Sequence, residues 1–184
     1  MYPPLQALDF MSPAYEQKPQ TGLQKLEMVG YWLLYAQGHT QNTQYLLQNS
    51  HVPPDVFKQY ATSTLNHSLL FKRTMVDEAD QHKQMQAKEY NDNVWAEIKD
   101  IFLNPYFAPL VANDFQGLPK TLVFTGFFDV LCDDGTWYAG ALKKANVNVT
   151  HYHHETAPHS VFWSRNPRFQ SVHKNVVQYI KDNL

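Results

Sequence analysis

An aspartate and a histidine, Asp129 and His159, stand where their side chains could share a proton. Asp129 ends the apolar run "LVFTGFF", and His159 follows the next strand-like run, one helix and one strand later. In open parallel sheets, catalytic groups gather beyond the carboxyl ends of neighbouring strands. A carboxylate there can accept the imidazole Nδ1 proton, fix the tautomer and stabilise the imidazolium. The spacing therefore predicts that Asp129 and His159 form a catalytic pair.

Asp129 has a competing interpretation, in which it only caps the helix that follows. Asp133 and Asp134 come shortly after it and are better placed for capping, because acidic side chains in the first turn of a helix meet its backbone N–H groups. We therefore expect Asp133 and Asp134 at the start of that helix, facing backbone N–H groups. Asp129 is expected within about 2.6–3.2 Å of a ring nitrogen of His159.

Other histidines raise the alternative of a metal site. His151, His153 and His154 lie together in the run "VNVTHYHH". Strand alternation places His151 and His153 on one face and His154 on the other, and a metal site would need a third converging ligand. We therefore expect polar positions near a strand end and no bound metal. The remaining histidines stand in polar or helical surroundings and are predicted to be surface residues: His39, His51, His67, His82 and His173.

The elements that must position the pair are clearest in the C-terminal third of the chain. Residues 118–126 are apolar and β-branched at their centre, which predicts a buried strand. Residues 133–146 predict a helix with acids in its first turn and lysines near its end. Residues 147–154 alternate like a strand, and residues 169–184 carry an apolar helical face. Strand, helix, strand, helix with short links predicts an α/β fold with parallel strands and a right-handed crossover.

The front of the chain is predicted to be helical. Residues 22–38 form an apolar helical pattern ended by Gly38, and residues 51–60 predict a turn and a short helix. Residues 94–105 form another apolar stripe, stopped by a proline. The apolar face of the first of these helices is expected to contain Leu23, Leu26, Val29, Trp32 and Leu33.

Between these helical patterns lies a polar segment, residues 76–93, which predicts either a solvated helix or a mobile loop. We divide the chain, residues 1–184, into two parts of one partial domain. Residues 22–105 are a helical insertion that resembles a cap. Residues 106–184 are a βαβα unit that carries the acid and the histidine.

Charge and composition exclude several classes of protein. Lys and Arg number 15 against 17 Asp and Glu, giving a formal charge of −2, so no basic surface points to nucleic acid. The single cysteine, Cys132, excludes an intrachain disulfide and a cysteine-based zinc cluster, and is expected to be a small apolar residue beside a turn. No apolar stretch approaches the ~18 residues that would cross a bilayer. We therefore expect a soluble chain without membrane contact.

Residues 117–160 resemble the acid and histidine region of the arylacetamide deacetylase and hormone-sensitive lipase group of α/β-hydrolases. That group has a strand leading into Asp-x-Leu-x-Asp-(Asp/Glu)-Gly, a helix, a strand, and a loop with Asp-Gly-x-His-Gly. The matching residues here are Asp129, Leu131, Asp133, Asp134, Gly135, Tyr138, Leu142 and His159. Residues 2–17 and 108–119 are similar to other segments of the group. The resemblance implies the C-terminal half of an α/β-hydrolase fold, with the N-terminal half of its sheet missing from this sequence.

The chain departs from the group at the histidine loop and at the nucleophile. The loop is Thr156-Ala157-Pro158-His159-Ser160, so both glycines are lost and a proline is gained. The group's nucleophile lies in Gly-x-Ser-x-Gly, and its oxyanion hole uses a His-Gly-Gly motif. Neither motif occurs around the serines of this sequence, which are Ser12, Ser50, Ser63, Ser68, Ser160, Ser164 and Ser171. We therefore expect the chain to be inactive on its own.

The resemblance implies part of a serine carboxylic-ester hydrolase of the carboxylesterase, lipase or arylacetamide deacetylase type. In such an enzyme the serine attacks the carbonyl of an apolar ester or amide, His159 acts as general base and then acid, and Asp129 orients His159. No cofactor and no metal are implied, and the implied location is the lumenal side of the endoplasmic reticulum membrane. The alternative is a non-catalytic binding or interaction module built on a truncated hydrolase scaffold.

Overall fold

The computed structural model describes residues 4–16, 22–70 and 90–183. Two strands and a series of α-helices occur within these ranges. In chain order they are α1 (Pro13–Glu16), α2 (Lys25–Gln37), α3 (Thr43–Leu47), α4 (Pro54–Ala61), α5 (Asp92–Phe102), β1 (Thr121–Phe128), α6 (Cys132–Lys144), β2 (Val149–Pro158) and α7 (Gln170–Asn183). Short 3-10 turns stand at His67–Leu69, Pro109–Val111, Val161–Trp163 and Pro167–Phe169.

The two strands pair in parallel, and α6 connects them. Their register runs from Thr121 opposite Val149 to Gly126 opposite His154, and then shifts so that Phe128 stands opposite Pro158. The predicted strand, helix, strand, helix order with parallel strands is confirmed. Both strands begin two or three residues later than predicted and end two to four residues later, directly before Asp129 and His159.

Helices cover both faces of this sheet. Gly135 of α6 lies so close to β1 that a Cβ at this position would be 2.5 Å from Thr125 Cγ2. On the opposite face, Phe124 packs in a cluster with Phe169 and with Val172 of α7. Since neighbouring side chains of a strand point to opposite faces, α6 and α7 enclose the strand between them. Along α7, Val172 is buried, Val176 and Tyr179 are half-buried and Ile180 is 46% exposed, so the apolar face predicted there is covered in part.

A larger core joins the front of the chain to α6. Trp137 of α6 is completely buried in it, and its Nε1 donates a hydrogen bond to the Asn66 carbonyl oxygen at 2.9 Å. The same core contains buried residues of the N-terminal segment, α2 and α5, among them Leu8, Phe10, Val29, Trp32, Leu33, Ile98 and Phe102. The front segments therefore pack on the βαβα unit and complete its core.

Helix α2 ends as predicted, but its apolar face was only partly predicted. Gly38 adopts a left-handed conformation (φ 76°) and its N–H bonds to the Leu34 carbonyl oxygen, which closes the helix. Val29, Trp32 and Leu33 are buried as expected, whereas Leu26 is 59% exposed, so its assignment to the buried face was wrong. Besides Leu26, three other large side chains of α2 are exposed, those of Tyr31, Leu34 and Tyr35.

Every described element from α2 to α5 is helical, as the sequence pattern predicts. The division into a helical insertion and a βαβα unit stays a prediction. The polar segment predicted at residues 76–93 lies outside the described residues except for its last positions. Among the helices in the described ranges, none is both long enough and apolar enough to cross a membrane.

Candidate active site

The side chains of Asp129 and His159 meet at the carboxyl ends of the two strands. His159 Nδ1 lies 3.0 Å from Asp129 Oδ1, within the expected hydrogen-bond range. The Asp129 side chain is 2% exposed and that of His159 is 20% exposed. Since β1 ends at Phe128 and β2 ends at Pro158, each of the two residues is the first after its strand. The structure thus brings together the two residues that the sequence singled out.

The register shift between the strands is what aligns this pair. From Gly126 to Phe128, β1 advances by two residues, while its partner positions on β2 advance by four, from His154 to Pro158. Extra residues of this kind form a bulge, which re-aims the side chains that follow it. In the register that holds before the bulge, Asp129 would stand opposite Ala157. The bulge therefore places His159 near Asp129 in the position that Ala157 would otherwise occupy.

Asp129 is oriented by the backbone as well as by the histidine. Its Oδ1 also accepts a hydrogen bond from the backbone N–H of Leu131 at 2.9 Å. This bond closes a local turn before α6, whose N-cap is Leu131, so Asp129 pairs with the histidine and does not cap the helix. Because an ionised carboxylate can only accept hydrogen bonds, Nδ1 of His159 is the donor, and the neutral ring then carries its lone pair on Nε2. Such a ring can take a proton at Nε2 while the carboxylate stabilises the resulting charge.

Asp133 and Asp134 lie in the first turn of α6, as predicted, but they bind a different part of the chain. Asp133 Oδ2 accepts a hydrogen bond from the Ala14 N–H at 2.6 Å. Asp134 accepts hydrogen bonds from the Leu5 N–H and the Gln6 side-chain amide, both at 3.0 Å. Both carboxyl groups are completely buried. Their hydrogen bonds attach the N-terminal segment to α6.

The environment of Asp134 favours its neutral form. Burial raises the pKa of the Asp134 carboxyl to about 8, the hydrogen bonds from Leu5 and Gln6 lower it, and the nearby charge of Asp133 raises it further. At neutral pH this carboxyl is therefore mostly protonated. Two adjacent buried carboxyl groups can then coexist in the core without carrying two charges.

Another buried acid, Asp9, forms a second acid–histidine pair, which the sequence did not predict. Asp9 accepts hydrogen bonds from His67 Nε2 at 2.7 Å, from the Asn49 side-chain amide at 2.7 Å and from the Met11 N–H at 2.9 Å. Burial alone would lower the pKa of His67, but the hydrogen bond and charge of Asp9 and the charge of Asp133 raise it above 6.5. The signal in the sequence was an acid between Leu8 and Phe10, since a buried carboxylate requires partners.

Two histidines predicted to be on the surface are less exposed than expected: His51 is buried and His67 is half-buried. His67 is paired with Asp9, and His51 is completely buried beside the rings of Phe10 and Phe102. The Nε2 atom of His51 lies 3.0 Å from the carbonyl oxygen of Ala7, and burial lowers its pKa to about 4, so the ring is neutral at neutral pH. Both histidines have polar neighbours in the sequence, and these neighbours gave no sign of the contacts with distant segments. His39 is exposed as predicted, His173 is half-buried, and His82 lies outside the described residues.

The histidines of β2 follow the predicted alternation. Thr125 Oγ1 lies 2.9 Å from His151 Nε2 and 2.9 Å from His153 Nδ1, while His154 lies on the other face beside the ring of Phe169. Burial lowers the pKa of His151 to about 4. In the part of the chain that the structure describes, no group of three or more histidine, cysteine or acidic side chains could hold a metal ion. Cys132 is buried at the start of α6, as predicted.

Two of the pockets on the described surface differ in character. One, of about 410 Å³, lies between α4, α6 and residues 112–116 and has mixed apolar and polar walls. The other, of about 220 Å³, has walls formed by Pro4, Met28, Tyr31, Trp32, Tyr35 and Phe107. Its lining is apolar and aromatic. Neither of these two pockets is lined by Asp129 or His159.

Comparison with known proteins gives consistent matches. Residues 59–163 match the model of a family described as alpha/beta hydrolase fold. The chain is 35% identical to neutral cholesterol ester hydrolase 1 of Bos taurus, over 98% of this chain and 45% of that protein. It is 31% identical to arylacetamide deacetylase of Oryctolagus cuniculus, over 100% of this chain and 46% of that protein. A solved ester hydrolase from the metagenome of Lake Arreo shares 34% identity over 33% of this chain and 19% of that one, with a TM-score of 0.33. The chain thus spans less than half the length of the curated relatives it matches.

Proposed function

Because the chain belongs to the α/β-hydrolase fold family, as its resemblance implied, we propose that it supplies the acid and the base of a serine carboxylic-ester hydrolase. His159 Nε2 takes the proton of a serine hydroxyl as the serine oxygen attacks the ester carbonyl, and then returns that proton to the departing alcohol. A water molecule repeats the sequence on the acyl-enzyme. Asp129 holds the ring in the required tautomer throughout. The hydrogen bond of 3.0 Å between Asp129 and His159 carries this proposal.

The different burial of the two side chains supports these roles. The Asp129 side chain, 2% exposed, lies away from water, where its charge acts strongly on the imidazolium. The His159 side chain is 20% exposed, so a reacting group can approach the ring. A triad needs this asymmetry, since the acid must remain ionised and in place while the base exchanges protons.

We propose apolar carboxylic esters or amides as substrates. The named relatives are a cholesterol ester hydrolase and an arylacetamide deacetylase, whose substrates join an acyl carbonyl to a large apolar group. The apolar pocket beside α2, which includes Trp32 and Phe107, is a surface of matching chemistry. By the same resemblance, we propose that the complete enzyme acts on the lumenal side of the endoplasmic reticulum membrane.

The serine and the oxyanion donors are proposed to come from polypeptide outside this sequence. None of the serines here stands in Gly-x-Ser-x-Gly, and a triad without its nucleophile keeps only the small contribution of binding groups. The 184-residue chain alone is therefore inactive as an esterase. In the complete enzyme, the Asp129–His159 pair acts on a serine at the same edge of the sheet.

The test joins this chain to the part of the bovine cholesterol ester hydrolase that it does not match. Hydrolysis of p-nitrophenyl butyrate and labelling by a fluorophosphonate are measured for the isolated chain and for the chimera. We expect no turnover and no label with the isolated chain, and both with the chimera. In the chimera, Asp129→Asn and His159→Gln should lower kcat by about 10⁴-fold. His39→Gln and Asp100→Asn, which change an exposed residue of each type, should leave kcat unchanged.

The alternative function is a binding or interaction module on the same scaffold, and the missing nucleophile motif is the observation that favours it. In the catalytic function the Asp129–His159 pair is needed for hydrolysis, whereas in a binding module it is not. A chimera whose hydrolysis and labelling survive His159→Gln would reject the catalytic assignment. Turnover by the isolated chain that a fluorophosphonate abolishes would reject the proposal that its serine lies elsewhere.

A further inference from the structure

The turn at Gly22 lies directly against His159. A Cβ at Gly22 would be 3.3 Å from His159 Cβ and 3.7 Å from both the backbone nitrogen and the carbonyl oxygen of His159. Gly22 also has φ +97°, a conformation that residues with a Cβ rarely adopt. Glycine therefore allows a backbone approach at this point that any other residue would hinder.

Gly22 passes close to the backbone end of His159, whereas Asp129 binds its ring. The hydrogen bond between Nδ1 and Asp129 involves one atom of the ring. A Cβ at position 22 would meet the Cβ and the backbone of His159, so only glycine leaves this end of the residue undisturbed. The next residue, Ser160, has φ +62°, so the loop turns sharply immediately after the histidine. The direction of Nε2 therefore depends on the hydrogen bond to Asp129 and on the space that Gly22 leaves beside the histidine backbone.

The segment that carries Gly22 is itself anchored. It leads within three residues into α2, where Val29 and Leu33 are completely buried in the large core. A turn attached to such a helix is a firm support, because displacing it would also displace core side chains. The contact therefore connects the packing of the front helices with the geometry of the acid–histidine pair.

We propose that Gly22 is a positioning residue for His159, through which α2 sets the orientation of the imidazole. A side chain at position 22 pushes the histidine backbone by a few tenths of an ångström and weakens its hydrogen bond to Asp129. The relevance of this orientation to catalysis rests on the proposed function. The positioning of His159 by Gly22 does not depend on that function.

The test compares Gly22→Ala with Gly117→Ala in the 184-residue chain. Gly117 also has a positive φ, +73°, but a Cβ there meets no atom within 4 Å. Both variants therefore introduce left-handed strain, and only the first touches His159. The measurement is the proton resonance of the His159 imidazole Nδ1–H, assigned by its loss in His159→Gln. We expect Gly22→Ala to shift or broaden this resonance and Gly117→Ala to leave it in place.

A second pair of variants separates strain from contact. Asparagine tolerates left-handed backbone better than alanine does, so Gly22→Asn and Gly117→Asn repeat the comparison with less loss of stability. An unchanged resonance in both Gly22 variants, or an equal change in the Gly117 variants, would overturn the proposal. In the active chimera, Gly22→Ala should lower kcat by up to about 10²-fold, the scale expected when a catalytic group is displaced. If the chimera does not hydrolyse the ester but Gly22→Ala still shifts the His159 resonance, the proposed function is rejected and the positioning role is kept.

Discussion

Adding a single methyl group at Gly126 should break the Asp129–His159 pair. A Cβ at this position would lie 2.5 Å from the Ala157 carbonyl oxygen and 3.0 Å from Ala157 Cβ. Carbon and carbonyl oxygen normally approach no closer than about 3.3 Å, so the two strands must separate by about 0.8 Å here. The nearest obstructing atom belongs to the backbone and the alanine Cβ has no rotamers, so a side-chain movement cannot relieve the contact.

The separation acts on both members of the pair. Asp129 lies three residues after Gly126, and His159 lies two residues after Ala157. The hydrogen bond of 3.0 Å would lengthen toward about 3.8 Å, beyond the range in which such a bond forms. Overpacking of this kind also lowers the free energy of unfolding by about 1–3 kcal/mol.

Urea unfolding and the His159 imidazole resonance measure these two effects of Gly126→Ala. Gly30→Ala is the matched control, because Gly30 lies within α2 and a Cβ there meets no atom within 4 Å. The control should raise the free energy of unfolding by about 0.5–1 kcal/mol and leave the resonance unchanged. If Gly126→Ala unfolds at the wild-type urea concentration and retains the wild-type resonance, the close approach of the strands does not hold the pair together.

Two further predictions concern stability. Because the partner Asp9 raises the pKa of His67, this pair stabilises the fold fully below about pH 6.5, and the contribution is lost as the pH rises through the raised pKa. His67→Gln should therefore reduce the fall in unfolding free energy between about pH 6 and pH 9, measured by urea titration; equal pH profiles for the two proteins would contradict this. Ser160 adopts φ +62°, so Ser160→Gly should raise the unfolding free energy by about 0.5–1 kcal/mol, measured in the same way. A lower value in the glycine variant would show that the serine stabilises its loop.

The βαβα unit and the acid–histidine pair could be predicted from the sequence because their signals are local. Apolar alternation, acids in the first turn of a helix and the order of elements all lie within neighbouring residues, and they locate β1, α6 and β2. The rule that parallel strands present their carboxyl ends together then brings Asp129 near His159. The resemblance to the esterase group rests on the same stretch of chain, and the family match includes it.

What the sequence could not determine are the contacts between segments that are far apart along the chain. Asp134 binds Leu5 across 129 residues and Asp133 binds Ala14 across 119 residues. No periodicity encodes such pairings, so the two acids were expected to serve the helix that contains them. His51 and His67 were assigned to the surface for the same reason, since their burial depends on Ala7 and Asp9.

The alignment of the pair was decided by tertiary structure as well. Sequence pattern placed both residues at the same edge of the sheet, but the bulge in β2 and the turn at Gly22 determine where His159 stands on that edge. A bulge depends on how two strands pair, and a backbone contact depends on how closely two segments pack. Residue types along the chain determine which groups are available for chemistry, whereas the distances between those groups follow from packing across the whole fold.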